Sequence, residues 1–155
     1  MIDLNGIAHV QLSVRDFARS RPFYYHLLHK LFGMTIQYDD DAVFYCIGGR
    51  TGVLIRQVAP EHADTAFDQW RVGLHHMCFR LRSQDDIRTL HHGLIEIGAT
   101  IIHSPEPGPW APGYFSILFE DPDGIRLEAN FVPGAGNLAV ITDGPLETPI
   151  SFQSR

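Results

Sequence analysis

Cysteine is scarce in this chain. Cys46 and Cys78 are the only two, too few for a disulfide framework, and a reduced cytoplasmic compartment with both thiols free is the default expectation. Positive charge is also short: 12 Lys and Arg against 18 Asp and Glu leave a formal net charge of -6. That balance removes the electrostatic case for a nucleic-acid partner or an anionic membrane surface. No apolar run is long enough to span a membrane, and the opening MIDLNGIAHV has neither a basic leader nor an apolar stretch of signal-peptide kind. With 19% charged and 45% hydrophobic residues, the remainder is ordinary globular material, enough for one domain or two small halves sharing a core. What the chain does have is histidine: 9 residues, high for this length, of the side-chain type most often found on metals.

Hydrophobic periodicity divides the chain into two similar halves. Residues 7–14, IAHVQLSV, alternate as a half-buried strand does, with Ala8, Val10, Leu12 and Val14 on one face and Ile7, His9, Gln11 and Ser13 on the other. Asp16 is placed to cap a helix running to about Phe32, with Phe23, Leu27, Leu28 and Leu31 on its apolar stripe and Gly33 at its stop. Strands are expected at 35–38, 42–47 and 53–58, separated by DDD and GGRTG. Residues 59–72 lack a strong period and read as a linker with one short helix. The order then restarts. A strand at 74–81 leads to Ser83 and Asp86, a weak capping box, and to a helix that turns Ile87, Leu90, Leu94 and Ile97 inward and stops at Gly98. Strands at 100–103, 114–120 and 125–131 follow, the last two joined by the turn DPDG.

The spacing of His9 and His76, 67 residues, agrees within a small gap with the 65 residues between the helix-stopping Gly33 and Gly98. The expected fold class is therefore α+β: two tandem βαβββ units, 1–58 and 73–132, forming a cupped mixed sheet with helices on the outer face. The Gly- and Pro-rich residues 133–155 form a tail, or an arm packed over another subunit.

The repeat also distinguishes the adjacent His75 and His76 in GLHHMCFRL. Neighbours on a strand point to opposite faces. Met77, Phe79 and Leu81 match the apolar face of the first strand, so His76, Cys78 and Arg80 match His9, Gln11 and Ser13 on the concave side. His75 then goes with the helix layer or the strand's frayed end. On the last strand, Ile125, Leu127, Ala129 and Phe131 form the apolar face, and Glu128 projects with Arg126 and Asn130. A carboxylate there is costly to bury without positive compensation, which two imidazoles and a divalent cation would provide. Each of these residues alone is ordinarily structural; at matched positions of a repeat they point to a metal, since two His and one carboxylate leave open coordination positions.

Paired βαβββ units, a His early in each first strand (AHVQL and HHMCF) and DPDGIRLE at the close resemble the vicinal oxygen chelate superfamily over residues 6–132. That superfamily includes glyoxalase I, methylmalonyl-CoA epimerases, fosfomycin-resistance transferases, extradiol dioxygenases and bleomycin-resistance proteins. The resemblance implies a divalent metal (Fe, Mn, Zn, Ni or Co) held by His9, His76 and Glu128, which chelates adjacent oxygens of a small-molecule substrate and stabilises an enediolate or alkoxide. It also implies a homodimer, with the cup closed within one chain or between two. The fourth ligand of glyoxalases and epimerases is missing: aligning Gly52 with Gly124 sets Arg56 opposite Glu128, and Gln57 requires a one-residue shift to the other face. An extradiol dioxygenase is disfavoured in turn, because Leu118 occupies the position of its Tyr and PWAPGYFSI lacks its His. No cluster of Lys and Arg marks a phosphonate site. Lyase, isomerase or transferase chemistry is left, with a metal-free binding protein of the bleomycin-resistance kind as the rival and a metal-bearing scaffold or sensor as a second.

Candidate substrate contacts are Gln11, Cys78, Arg80 and Arg126 on the concave rows, with Trp110 and Tyr114 from a stiff lid at residues 103–115. None of them, nor Glu120 on a neighbouring strand, is an evident general base. His26, His29, His91 and His92 read as solvated helix faces.

Overall fold

In a computed structural model that describes residues 2–134, both halves build the same strand–helix–three-strand unit. The first comprises β1 (His9–Val14), α1 (Phe17–Tyr24), β2 (Thr35–Asp39), β3 (Val43–Gly48) and β4 (Thr51–Gln57). The second comprises β5 (Met77–Arg80), α2 (Gln84–Glu96), β6 (Thr100–Pro107), β7 (Phe115–Glu120) and β8 (Arg126–Phe131). Each unit folds into a four-stranded mixed sheet, ordered β1-β4-β3-β2 and β5-β8-β7-β6, in which the first and last strands of the unit lie parallel. The α+β architecture with two cupped sheets is the one expected. Among the described residues, no helix is long and apolar enough to cross a membrane. The expected tail or arm lies outside the described residues from position 135 onward.

Local chemistry accounts for the helix starts. Asp16 Oδ1 accepts a hydrogen bond from the Arg19 N–H at 3.1 Å, and Ser83 Oγ accepts one from Asp86 N–H at 3.0 Å, so each satisfies a donor that the helix itself leaves unpaired. The first helix reaches the expected length with a different winding. Pro22 sits inside α1 and offers no N–H, and Tyr25–Leu31 continue as a π-helix. Two strand limits differ from expectation by three residues or more. β5 begins at Met77 rather than at 74, and β6 extends to Pro107 rather than 103, which shortens the lid to residues 108–114.

The alternating strand faces and the helix stripes meet in one core. Leu12, Val14, Phe44, Ile55, Ile117, Phe119 and Leu127 from the two sheets pack with Tyr24, Leu27, Leu28, Ile87 and Leu94 from the helices, all buried. The helical layers of the two units touch directly. A Cβ on Gly93 would come within 2.6 Å of Leu31 Cδ2, so the missing side chain lets α2 approach the first helix. Beside them, the rings of Phe32 and Phe79 lie 4.8 Å apart.

The DPDG turn fastens the second unit to the first. Asp121 Oδ1 accepts from the N–H groups of Asp123 and Ile125, both at 2.8 Å, while its Oδ2 accepts the buried Tyr24 hydroxyl at 2.9 Å. Asp123 accepts the Arg15 backbone N–H at 2.5 Å and its Nε–H at 3.3 Å. Asp121 is only 4% exposed, and burial pushes its carboxyl up from 3.8 to about 6 despite those hydrogen bonds. The raised value fixes the sign of a pH effect. The folded chain binds this proton more tightly than the unfolded one, so the contribution is full below 3.8 and is lost as pH rises through about 6. Asp121→Asn keeps the shape without the charge. It is expected to gain on the order of 2 kcal/mol relative to the parent between about pH 4 and pH 7. Urea midpoints at both pH values check this, and a pH-independent difference contradicts it.

Candidate functional site

The parallel register of β5 on β8 builds the site. Cys78 pairs with Glu128 and Met77 with Leu127, so Glu128 shares a face with Cys78, and His76, just ahead of the ladder, reaches the same carboxylate. On the other side of β8, Leu118 of β7 pairs with Glu128. The carboxylate thus stands on an inner strand, with its side chain 12% exposed. His76 Nε2 lies 3.1 Å from Glu128 Oε2. Glu128 Oε1 accepts the hydroxyl of Tyr114, and that hydroxyl in turn accepts the Asn130 Nδ2–H at 3.1 Å.

Tyr114 is buried, at 6% exposure, because the short lid folds back on itself. Gly108 N–H donates to Tyr114 O at 3.1 Å and Tyr114 N–H to Ala111 O at 3.0 Å. A Cβ on Gly108 would come 2.8 Å from the Tyr114 ring, so this close approach needs glycine. Trp110, on the same loop, is exposed.

These contacts decide the charge states. Burial alone would raise the Glu128 carboxyl, but hydrogen bonds from His76 and Tyr114 and the attraction of His76 outweigh it and hold the group below its ordinary value. The Tyr114 hydroxyl is pushed up, first by burial and then by its bond to Glu128. The Cys78 thiol is also pushed up, by loss of hydration and by the neighbouring carboxylate. Near neutral pH the cluster therefore holds one carboxylate beside a neutral phenol and a neutral thiol. A protonated thiol is a poor nucleophile.

Of the sequence-derived residues, the structure gathers His76, Glu128, Tyr114 and Cys78. Arg126 shares their sheet and pairs with Glu120, Nε to Oε1 2.9 Å, while Arg80 is exposed on β5. His9 and Gln11 are exposed on β1 of the other sheet. Among the described residues, no three His, Cys, Asp or Glu side chains are placed to hold one metal ion, so His9 does not join His76 and Glu128 within the chain.

Register also replaces the expected counterpart of Glu128. His9 pairs with Gly52 and Gln11 with Leu54, so Leu54, not Arg56, stands where Glu128 stands in the second unit. The two-residue discrepancy arises in the turns. Gly49 and Arg50, both at positive φ, make a tight β3–β4 hairpin, whereas Asp121–Ile125 make a longer one. Gln57 is committed elsewhere: its Oε1 accepts Phe17 N–H at 2.8 Å and its Nε2–H donates to Arg15 O at 2.5 Å, clipping the start of α1.

Two participants escaped the sequence reading. Asn130 was legible as a member of the Arg126, Glu128 row but carried no chemical signal of its own. The second is His75, for which the repeat predicts the helix layer or the strand's frayed end. It precedes β5 and is exposed, and its Nδ1 lies 2.8 Å from Nδ1 of His76. Trp70 of the linker stands edge-on to the His75 ring at 5.1 Å. A cavity of about 590 Å³ lies under the linker, lined by Ser13, Ile125, Phe67, Val72 and Leu74 among others, but not by His76, Cys78, Tyr114 or Glu128.

A family profile described as the Glyoxalase/Bleomycin resistance protein/Dioxygenase superfamily matches residues 6–129. Among solved structures, a presumed glyoxalase from Bacillus halodurans is 23% identical, with a TM-score of 0.74 over 83% of this chain and 96% of that one. A glyoxylase/bleomycin resistance protein/dioxygenase domain from Frankia sp. EAN1pec is 27% identical, with a TM-score of 0.67 over 83% of this chain and 98% of that one. A lactoylglutathione lyase from Agrobacterium tumefaciens is 18% identical, with a TM-score of 0.60 over 83% and 95%. No curated protein matches significantly.

Tyr114→Phe removes one of the hydrogen bonds, from His76, Tyr114 and Ser116, that hold Glu128 ionised. The Glu128 carboxyl is expected to titrate higher in the variant, which carboxyl-carbon NMR reads directly. The depressed parent value stabilises the fold above the ordinary carboxyl range and is lost as pH falls. The variant should therefore lose stability at neutral pH, by about 1–2 kcal/mol, and less in acid.

Proposed function

The chain belongs to the glyoxalase/bleomycin resistance protein/dioxygenase superfamily, and from that premise we propose that it is a metal-dependent enzyme acting on a small molecule with adjacent oxygens. Lyase, isomerase or transferase chemistry is favoured over ring-opening dioxygenation. One observation carries the reading: His76 Nε2 and Glu128 Oε2 lie 3.1 Å apart, with the second carboxylate oxygen already engaged by Tyr114.

Those residues fit half of a metal centre. Two donor atoms at about 2.1 Å from one ion and at right angles to each other are about 3 Å apart. A ligating carboxylate held through its other oxygen is also what an oriented metal ligand requires. In this reading His76 and Glu128 hold the ion together with His9 from a second copy of the chain, a donor set suited to Fe, Mn, Zn, Ni or Co. When bound, the ion supplies Lewis-acid polarisation of adjacent substrate oxygens. The chain's own residues do the rest. Tyr114 and Asn130 keep the carboxylate aimed, and the neutral Cys78 lines the site without adding charge.

Elemental analysis of untagged protein should find stoichiometric metal in the parent and a loss of most of it in Glu128→Ala. A parent without metal moves the protein to the binding-protein reading. The shared site has its own test. His9→Ala and Glu128→Ala, each depleted alone, should recover about a quarter of the parent's metal per chain when mixed and allowed to exchange, because half the dimers are then mixed and each has one intact site. No recovery in the mixture rules out a site divided between copies.

A further inference from the structure

The contact between His75 and His76 is not explained by the fold. Residues adjacent on a strand point apart, yet these two rings meet at 2.8 Å between their Nδ1 atoms, with centroids 5.0 Å apart. The meeting is possible because the ladder of β5 begins at Met77. Gly73, at φ +139, turns the chain just before, and neither histidine is bound by the alternation of a paired strand. At 2.8 Å, one Nδ1 carries a hydrogen and the other accepts it. Trp70 lies against the far side of this pair, edge-on to His75 at an interplanar angle of 77°.

Resting on the metal-centre reading above, we propose that His75 is a positioning residue for His76. By occupying Nδ1 of His76, it prevents a ring flip and leaves Nε2 as the nitrogen presented to Glu128 and to an ion. Trp70 braces His75 in turn, so the linker takes part in shaping the centre. The general chemistry of metal-binding imidazoles supports this assignment: the nitrogen that does not bind is regularly hydrogen-bonded, and that bond fixes both tautomer and ring orientation.

Two variants separate hydrogen bonding from packing. His75→Phe keeps a ring against Trp70 but has no nitrogen; His75→Asn offers an amide near the Nδ1 position but no ring. Titration with zinc or cobalt alone, with no substrate, should show a loss of about tenfold to a hundredfold in affinity for His75→Phe and recovery toward the parent value for His75→Asn. Long-range proton–nitrogen NMR of the metal-free protein should show the His76 Nδ1 resonance displaced in His75→Phe and near its parental position in His75→Asn. The reverse order, with Phe tolerated and Asn damaging, would mean that His75 only packs, and the proposal falls. An unmoved His76 resonance in both variants overturns it as well. If the parent takes up no metal, the functional reading fails instead, while the NMR comparison still decides the role of His75.

Discussion

A carboxylate on an inner strand of a small sheet has to be compensated, and Glu128 organises its surroundings on that account. Lost hydration opposes its charge. The hydrogen bonds from His76 on one oxygen and Tyr114 on the other, with the attraction of His76, are together strong enough to reverse the balance. The shape of the lid follows, since Tyr114 reaches Glu128 only because Gly108 leaves space for its ring. Cys78 stays protonated as well, first through lost hydration and then because a second negative charge beside the first would be uncompensated.

The position of Glu128 depends in turn on how the two units are fastened. β8 starts immediately after the turn whose Asp121 holds Ile125 N–H and Tyr24 of the first unit, and whose Asp123 holds Arg15. The turn that joins the units therefore also sets where β8 begins against β5, and so which residue faces Cys78. Asp121 is held there at an energetic cost, visible in its raised pKa, and its three hydrogen bonds only partly offset the burial.

The fold was legible because its signals were periodic. Alternation in IAHVQLSV and in the residues of β8, the apolar stripe of α2 and the Gly33 and Gly98 stops all survive in the structure, and the repeat supplied the rest. Periodicity also put His76, Cys78 and Glu128 on one face. It failed where a strand ends. The alternation rule holds only inside a hydrogen-bonded ladder, and β5 is four residues long, so the rule could not choose for His75 between the helix layer and the strand's frayed end, and the frayed end is where it lies. The same limit applies to Arg56. Matching glycines ignored the difference in turn length, and a two-residue shift preserves the face while changing the partner.

The first unit repeats the fold without repeating the chemistry, and this asymmetry constrains how a complete site can form. On the face that matches Glu128, the first sheet offers Leu54. Gln57 is spent on the start of α1, and Tyr45 covers Gly52 so closely that a Cβ there would collide with its hydroxyl. His9 is the one nitrogen donor left on that row of β1. Two first sheets facing each other would bring two imidazoles and no carboxylate. Two second sheets would bring two carboxylates, whose repulsion a single divalent ion must then balance alongside two imidazoles. Only unlike sheets combine two imidazoles with one carboxylate, which leaves coordination positions open for a substrate. Because the units of one chain are joined through their helices and the Asp121 turn, the shared site proposed above draws its second imidazole from another copy of the chain.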